Sequence, residues 1–143
     1  MGPAGPAGPA GPQGPPGPDP FANYQHAESD GESQTNQTTY QQKLRMTTGS
    51  LAAGDYRIGY SAELASTNWN ASSELRVEVD DTTTIAEPRT PTSFAANQYT
   101  AYSGFTIVTL TSGVHDIDVD YRSTNGSYTV KVRRARLEIY PVP

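Results

Sequence analysis

Six unbroken Gly-X-Y triplets follow Met1, from Gly2-Pro3-Ala4 to Gly17-Pro18-Asp19, and glycine at every third place is what a collagen-type triple helix requires. Three polyproline-II chains wind about an axis that has no room for a side chain, which makes Gly2, Gly5, Gly8, Gly11, Gly14 and Gly17 packing positions. A chain with such a stem is one third of an assembly. A flexible Gly/Pro/Ala linker would share the composition, but it would not need the register. Six triplets span about 55 Å at the polyproline rise, too little to hold three chains together unaided. Another part of the chain is therefore expected to trimerise first.

That part follows a break in composition. Residues 1–20 read as the stem, 21–39 as a polar connector or extended surface segment, and 40–143 as a single head. Beyond the stem, whose one charge is Asp19, the chain carries ten basic and fourteen acidic residues, a balance that does not favour nucleic acid. With no cysteine, disulfides and thiolate metal sites are excluded. No apolar run approaches the ~20 residues of a membrane span, and the N-terminus has neither a basic region nor an apolar segment. The expectation is a chain made in the cytosol, without membrane contact.

From Tyr40 onwards the hydrophobic pattern has period two, the mark of half-buried strands. Tyr40, Leu44 and Met46 oppose Lys43 and Arg45. Tyr56, Ile58, Tyr60, Ala62 and Leu64 then alternate with Arg57, Ser61 and Glu63, the clearest strand in the chain. Leu75, Val77 and Val79 alternate with Glu74, Arg76, Glu78 and Asp80, and Pro88 and Pro91 mark a loop. The run 105–110 is apolar on both faces, as suits a strand with the core on one side and a neighbouring subunit on the other. Phe105, Ile107, Val108 and Leu110 are accordingly the expected trimer interface. In the following strand Ile117, Val119 and Tyr121 point inward. The last strand places Val130 and Val132 inward, then Ala135, Leu137 and Ile139. That change of parity predicts a β-bulge near Arg133 and Arg134.

Seven or eight such strands with no helical periodicity predict an all-β chain: a C-terminal β-sandwich head on a short N-terminal collagen triple helix, homotrimeric. A jelly roll is preferred to an immunoglobulin-like sandwich, by analogy with trimer-forming heads. The stretches LAAGDYRIGYSAEL (51–64), LTSGVHDIDVDYRS (110–123) and ARLEIYPVP (135–143) carry a resemblance. A short collagen stem followed by such a head resembles the globular heads of the complement and tumour necrosis factor type, and the collagen-bearing fibre and decoration proteins of tailed bacteriophages. Only Pro16 occupies a Y place open to hydroxylation, which also points to bacteria or their viruses. The resemblance implies a non-enzymatic structural accessory protein on the virion surface: a capsid decoration, head fibre or tail fibre whose partners are its own copies and a capsid or tail protein. The alternative is a receptor- or glycan-binding head acting through trimeric avidity, on a phage tail or on a bacterial spore or cell surface.

Candidates for chemistry are few, and no catalytic, cofactor-binding or metal-binding residue is assigned. Asp116, Asp118 and Asp120 share a strand face, but a Ca²⁺ loop wants glycine after the third acid, where Tyr121 stands, so a solvated acidic face is expected. Lys131, Arg133, Arg134 and Arg136 form a basic counterpart, expected to pair with that acidic strand. His26 and His115 are read as surface or interface residues. Trp69, Tyr99 and Tyr102 are the candidate surface-binding residues, Trp69 being an aromatic platform for a host-surface glycan or a plug at the end of the sandwich. The sequons at Asn36, Asn70 and Asn125 are expected to be bare. If the stem is a triple helix, Gly8→Ser opens it locally and lowers the melting temperature of its circular-dichroism signal. An unchanged profile would contradict the triple helix.

Overall fold

The computed structural model describes residues 1–2, 11, 13–16, 23–91 and 95–142. Among the described residues nine strands are formed: β1 (Gln25–Ser29), β2 (Ser33–Thr35), β3 (Gln41–Thr47), β4 (Gly54–Ser66), β5 (Ser73–Val79), β6 (Thr83–Ala86), β7 (Thr100–Leu110), β8 (Asp116–Ser123) and β9 (Val130–Pro141). Their pairing is nested, with β1 on β9, β3 on β8, β4 on β7 and β5 on β6, all antiparallel. This amounts to one long hairpin of paired strands. It rolls up when β4 also pairs with β9, and β5 with β8. The product is a β-sandwich of two antiparallel sheets. One runs β1-β9-β4-β7 with β2 also on β9, and the other runs β3-β8-β5-β6. This is the strand order of a jelly roll.

Alternation along each strand sends one set of side chains between the sheets. Tyr56, Ile58, Ala62 and Leu64 of β4 meet Leu75, Val77 and Val79 of β5 and Ile117, Val119 and Tyr121 of β8 in one buried cluster. Strand β9 supplies Val130, Val132, Ala135, Leu137 and Ile139 to the same core, on both sides of its change of parity. The bulge lies where the parity changes: opposite β4, the register steps from Ser61↔Arg136 to Glu63↔Arg133. Arg134 carries it, at φ 50°, in the left-handed region that side chains rarely adopt.

The structure adds to the expected strands where the apolar signal is weak. The polar segment after the stem forms β1 and β2 along β9, and among its described residues Ala27 alone packs against the core cluster. An edge strand needs few apolar residues, so its pattern is faint in the sequence. Strand β6 follows a two-residue turn at Asp80 and Asp81, both at positive φ, where Asn or Gly would be the usual signal. Strand β7 extends well before Phe105, through polar and small residues.

The two ends of the sandwich differ. The near end carries loops 48–53, 80–82 and 111–115, joined by Thr48 N→His115 O (2.9 Å), Leu51 N→Gly113 O (2.8 Å) and Asp80 N→Asp116 O (2.8 Å). The far end carries loops 36–40, 67–72 and 124–129 and the segments 87–91 and 95–99, joined by Thr67 N→Thr129 O (2.9 Å), Thr124 N→Ser72 O (3.1 Å) and Ser123 N→Gln37 O (2.9 Å). The head begins at the near end, where Gln25 pairs with Ile139 and its side-chain oxygen accepts the Gly49 amide at 2.8 Å.

The bulge gives a sharp test by urea unfolding. Arg134→Gly relieves the left-handed strain and leaves Glu63 paired with Arg133, so stability should hold or rise by up to ~1 kcal/mol. Deleting Arg134 leaves Val130, Val132, Ala135, Leu137 and Ile139 in one unbroken alternation with a continuous register on β4, so the head should still fold, and loss of folding would contradict this account of the bulge.

Candidate functional site

The outer face of the β1-β9-β4-β7 sheet carries the features that stand out on the surface. Within β7 the expected interface residues divide by parity. Phe105 and Ile107 point outward and are 57% and 54% exposed, whereas Val108 packs against the core and Leu110 is buried in it. Beside Phe105 lies an open groove of about 560 Å³, lined by Tyr24, His26, Arg57, Phe105, Arg136 and Glu138 among others. Gly59 forms part of its floor, and a Cβ there would come within 2.6 Å of the Glu138 carboxylate. Arg57 pairs with Glu138 at 2.9 Å while its guanidinium lies 4.1 Å above the Phe105 ring. On the opposite wall Tyr24 stacks on His26 at 5.6 Å and leans towards Tyr140 at 6.5 Å. Tyr24 is next to the start of β1, so the head receives the stem side of the chain beside this groove.

Farther along the same face the surface is ionic. Glu63 receives Arg133 at 2.6 Å and Arg134 at 2.8 Å, and the Arg133 hydrogen bond is the main cause that holds the Glu63 carboxyl below its usual range. Lys131 reaches Glu32 at 3.6 Å, and Arg136 pairs with Glu28 at 3.2 Å and with Asp30. The basic cluster is thus paired, but with acids of β1, β4 and the β1–β2 region. The acidic strand is on the other sheet.

That acidic strand, β8, departs from expectation. Asp118 and Asp120 are buried, not solvated, because arginines of neighbouring strands cover them. Arg45 grips Asp118 with two hydrogen bonds, at 2.7 and 2.6 Å, and also reaches Asp81 at 2.6 Å. Arg76 takes Asp120 at 2.6 Å and Glu78 at 2.9 Å, and Arg122 takes Glu74 at 2.7 Å. Tyr40 lies between the guanidinium groups of Arg76 and Arg122, 4.3 and 4.5 Å from its ring centre. The outer face of this sheet is a ladder of cross-strand ion pairs. Among the described residues no group of three or more His, Cys, Asp or Glu is arranged to hold a metal.

His115 is the second departure. It is only 6% exposed, at the near end, and not a surface residue. Its Nδ1 lies 2.7 Å from Asp80 and its Nε2 2.9 Å from the Thr111 carbonyl. Both partners are acceptors, so the ring satisfies both only as the doubly protonated imidazolium. Its backbone amide donates to the Thr48 hydroxyl at 2.9 Å, which brings all three near-end loops to one residue. The Asp80 hydrogen bond and the Thr111 carbonyl raise His115 above its ordinary value, against burial. Burial pushes the Asp80 carboxyl up, but hydrogen bonds from His115 and the Asp116 amide outweigh it and hold Asp80 below the usual range. No local sequence signal marks His115, because its partners lie 35 residues upstream and across a loop. His26, by contrast, is exposed and stacked on Tyr24.

Of the three aromatic binding candidates, two are engaged within the molecule. The Tyr99 hydroxyl donates to Glu32 and its ring lies 3.7 Å under Arg133, and burial together with that carboxylate pushes its hydroxyl up to about 12. Tyr102 donates to the Arg89 carbonyl at 2.9 Å and packs against the core. Trp69 is 66% exposed, on a far-end loop.

No protein-family profile matches this chain, and no characterised sequence matches it significantly. Among solved structures it is similar to the sugar-binding C-terminal domain of EclA, with 16% identity and a TM-score of 0.47 over 81% of this chain and 79% of that one. It is also similar to a protein of infectious bursal disease virus, Gt strain (9% identity, TM-score 0.46, 84% of this chain and 32% of that one). A third is the C-terminal CBM6 of LamC from Zobellia galactanivorans (12% identity, TM-score 0.40, 79% and 98%). At these scores the likenesses transfer no role to any residue here.

The His115 clamp has a pH signature. Its native pKa is raised, so its contribution to stability is complete below the unfolded value of about 6.5 and is lost as pH rises through the native value. Urea unfolding at about pH 6 and about pH 9 should show the head less stable at the higher pH through this group. His115→Asn should cost ~1–3 kcal/mol at the lower pH and narrow the difference between the two.

Proposed function

We propose that the chain is a non-enzymatic structural accessory protein of a phage particle, a capsid decoration, head fibre or tail fibre that trimerises through its collagen-like stem and its β head. The observation that carries this reading is the junction between the two. A triple helix delivers three heads side by side, and on each head the chain enters at Tyr24, on the one broad face where Phe105 and Ile107 stand exposed. Exposed Phe and Ile on a rigid sheet are costly in water and are relieved when another apolar surface covers them. The opposite sheet offers no such inducement, since its outer face is occupied by the Arg45, Arg76 and Arg122 ion pairs.

The stem glycines support the same reading. Among the described residues, a Cβ on Gly2, Gly11 or Gly14 would meet nothing within 4 Å. Nothing inside one chain calls for glycine there. Glycine at every third place is what packing against two neighbouring chains would require. The virion assignment rests on the resemblance of a short collagen stem and compact β head to the fibre and decoration proteins of tailed phages. A passive role also suits His115, whose two ring nitrogens are committed to Asp80 and Thr111.

Light scattering of the full chain tests the reading. The expected mass is about three times the 15.3 kDa of one chain. Replacing Phe105 and Ile107 together by Glu should reduce it to that of a monomer, because the short stem alone does not hold three chains. A trimer indifferent to both substitutions would move the contact elsewhere, and a monomeric wild type would remove the proposal.

A further inference from the structure

The far end of the head, opposite the stem side, has a chemistry unlike the rest of the surface. Loop 67–72 reads TNWNAS, loop 124–129 reads TNGSYT and loop segment 36–39 reads NQTT, and none of these residues is charged. The backbone hydrogen bonds from Thr67 to Thr129, from Thr124 to Ser72 and from Ser123 to Gln37 bring the three together. They present amides and hydroxyls, with one large apolar side chain among them, the exposed Trp69. The far-end segment 87–91 carries Glu87 and Arg89, and Arg89 and Arg122 face Glu74, so the three loops around Trp69 form an uncharged patch beside these charges.

Trp69 is held on a built turn. Asn68 Oδ1 accepts the Asn70 amide at 2.8 Å, the Ser66 hydroxyl donates to the Asn68 carbonyl at 2.8 Å, and the Ala71 amide donates to the same carbonyl at 3.2 Å. The Thr67 amide and hydroxyl both donate to the Thr129 carbonyl, at 2.9 and 2.8 Å. The neighbouring loop is organised in the same way, with Asn125 Oδ1 accepting the Ser127 amide at 3.0 Å. An indole on so constrained a loop loses little freedom on contact with a ligand. Its flat face offers apolar area, and the surrounding amides and hydroxyls offer both donors and acceptors.

We infer that this cap is a binding site for a neutral saccharide, with the indole of Trp69 stacked on the apolar face of a sugar ring. A pyranose has one C–H-rich face and a rim of hydroxyls, each both donor and acceptor, which is the complement of an aromatic plate ringed by Asn, Ser and Thr. A charged glycan or a charged protein surface would lose hydration against these three loops and find no counter-charge on them. The groove beside Phe105 is not the saccharide site here, since the stem brings the other copies of the chain to that face. The cap is on each copy and its chemistry does not depend on assembly. Three copies raise its apparent affinity by avidity.

Trp69 is the sole tryptophan, so its emission reports on this cap alone. The full chain is applied to an array of neutral, sialylated and sulfated oligosaccharides, and the best neutral hit is titrated while the indole fluorescence is followed. The expected result is capture by one or more neutral glycans, with a saturable change in emission. Trp69→Ala should weaken capture at least tenfold with an unchanged urea-unfolding curve, and Trp69→Phe should retain part of it. Asn70→Asp, which adds a charge at the exposed rim, should also weaken it. No captured glycan, capture only of acidic glycans, or capture unaffected by Trp69→Ala would each overturn the inference. A trimeric mass by light scattering alongside any of these would leave the assembly reading intact, so the two fail separately.

Discussion

The register between β4 and β9 is the constraint on which the rest of this structure depends. These two strands run antiparallel through the middle of one sheet, and β9 must present Val130 and Val132 and then Ala135, Leu137 and Ile139 to the same core. Two residues of opposite parity cannot both face inward on an unbroken strand. One left-handed residue, Arg134, resolves the conflict, and its strain is borne because the buried apolar side chains on either side of it are worth far more. With that step in place, β1 and β2 can lie along the outer edge of β9 and β7 along β4, and the sheet gains the broad outer face that carries Phe105.

The two outer faces have opposite characters. On the β3-β8-β5-β6 sheet, acids and arginines stand opposite one another across strands, and even Asp118 and Asp120 are drawn out of water by bidentate or paired arginines. A surface whose charges are already satisfied has little to offer a neighbour. The β1-β9-β4-β7 sheet is most densely ionic towards its far half, with the Arg57–Glu138 pair in its near half. Nearer the stem it exposes aromatic and aliphatic side chains around a groove whose floor includes Gly59. The ends are equally unlike: the near end is cross-linked by His115 between Asp80 and Thr111, and the far end has three uncharged loops around Trp69.

Much of the fold is legible in the sequence because central strands must alternate. Leu75, Val77 and Val79 and the five residues from Tyr56 to Leu64 leave little choice of conformation, and the slip before Ala135 announces the bulge. Edge strands carry no such signature. Only Ala27 of β1 touches the core, and the hairpin into β6 turns on two aspartates in a conformation more usual for Asn or Gly. The candidate surface was half legible: both-sided apolarity marked β7, but which members of Phe105, Ile107, Val108 and Leu110 face out depends on the sheet against which the strand lies. The partners of charged residues were not legible. The acids of β8 and the cations of β9 are close in sequence and similar in number, yet they occupy different sheets and pair elsewhere.

By itself, the sequence determined a Gly-X-Y stem, an all-β head and the inward face of its central strands, because these follow from local rules of period three and period two that act within one segment. Only the tertiary structure decided that His115 is buried between Asp80 and Thr111, that Tyr99 and Tyr102 are engaged while Trp69 is not, and that the uncharged loops share one end. Those facts rest on residues brought together from distant segments by the rolled hairpin, and no periodicity within a segment records which loops will meet when it closes.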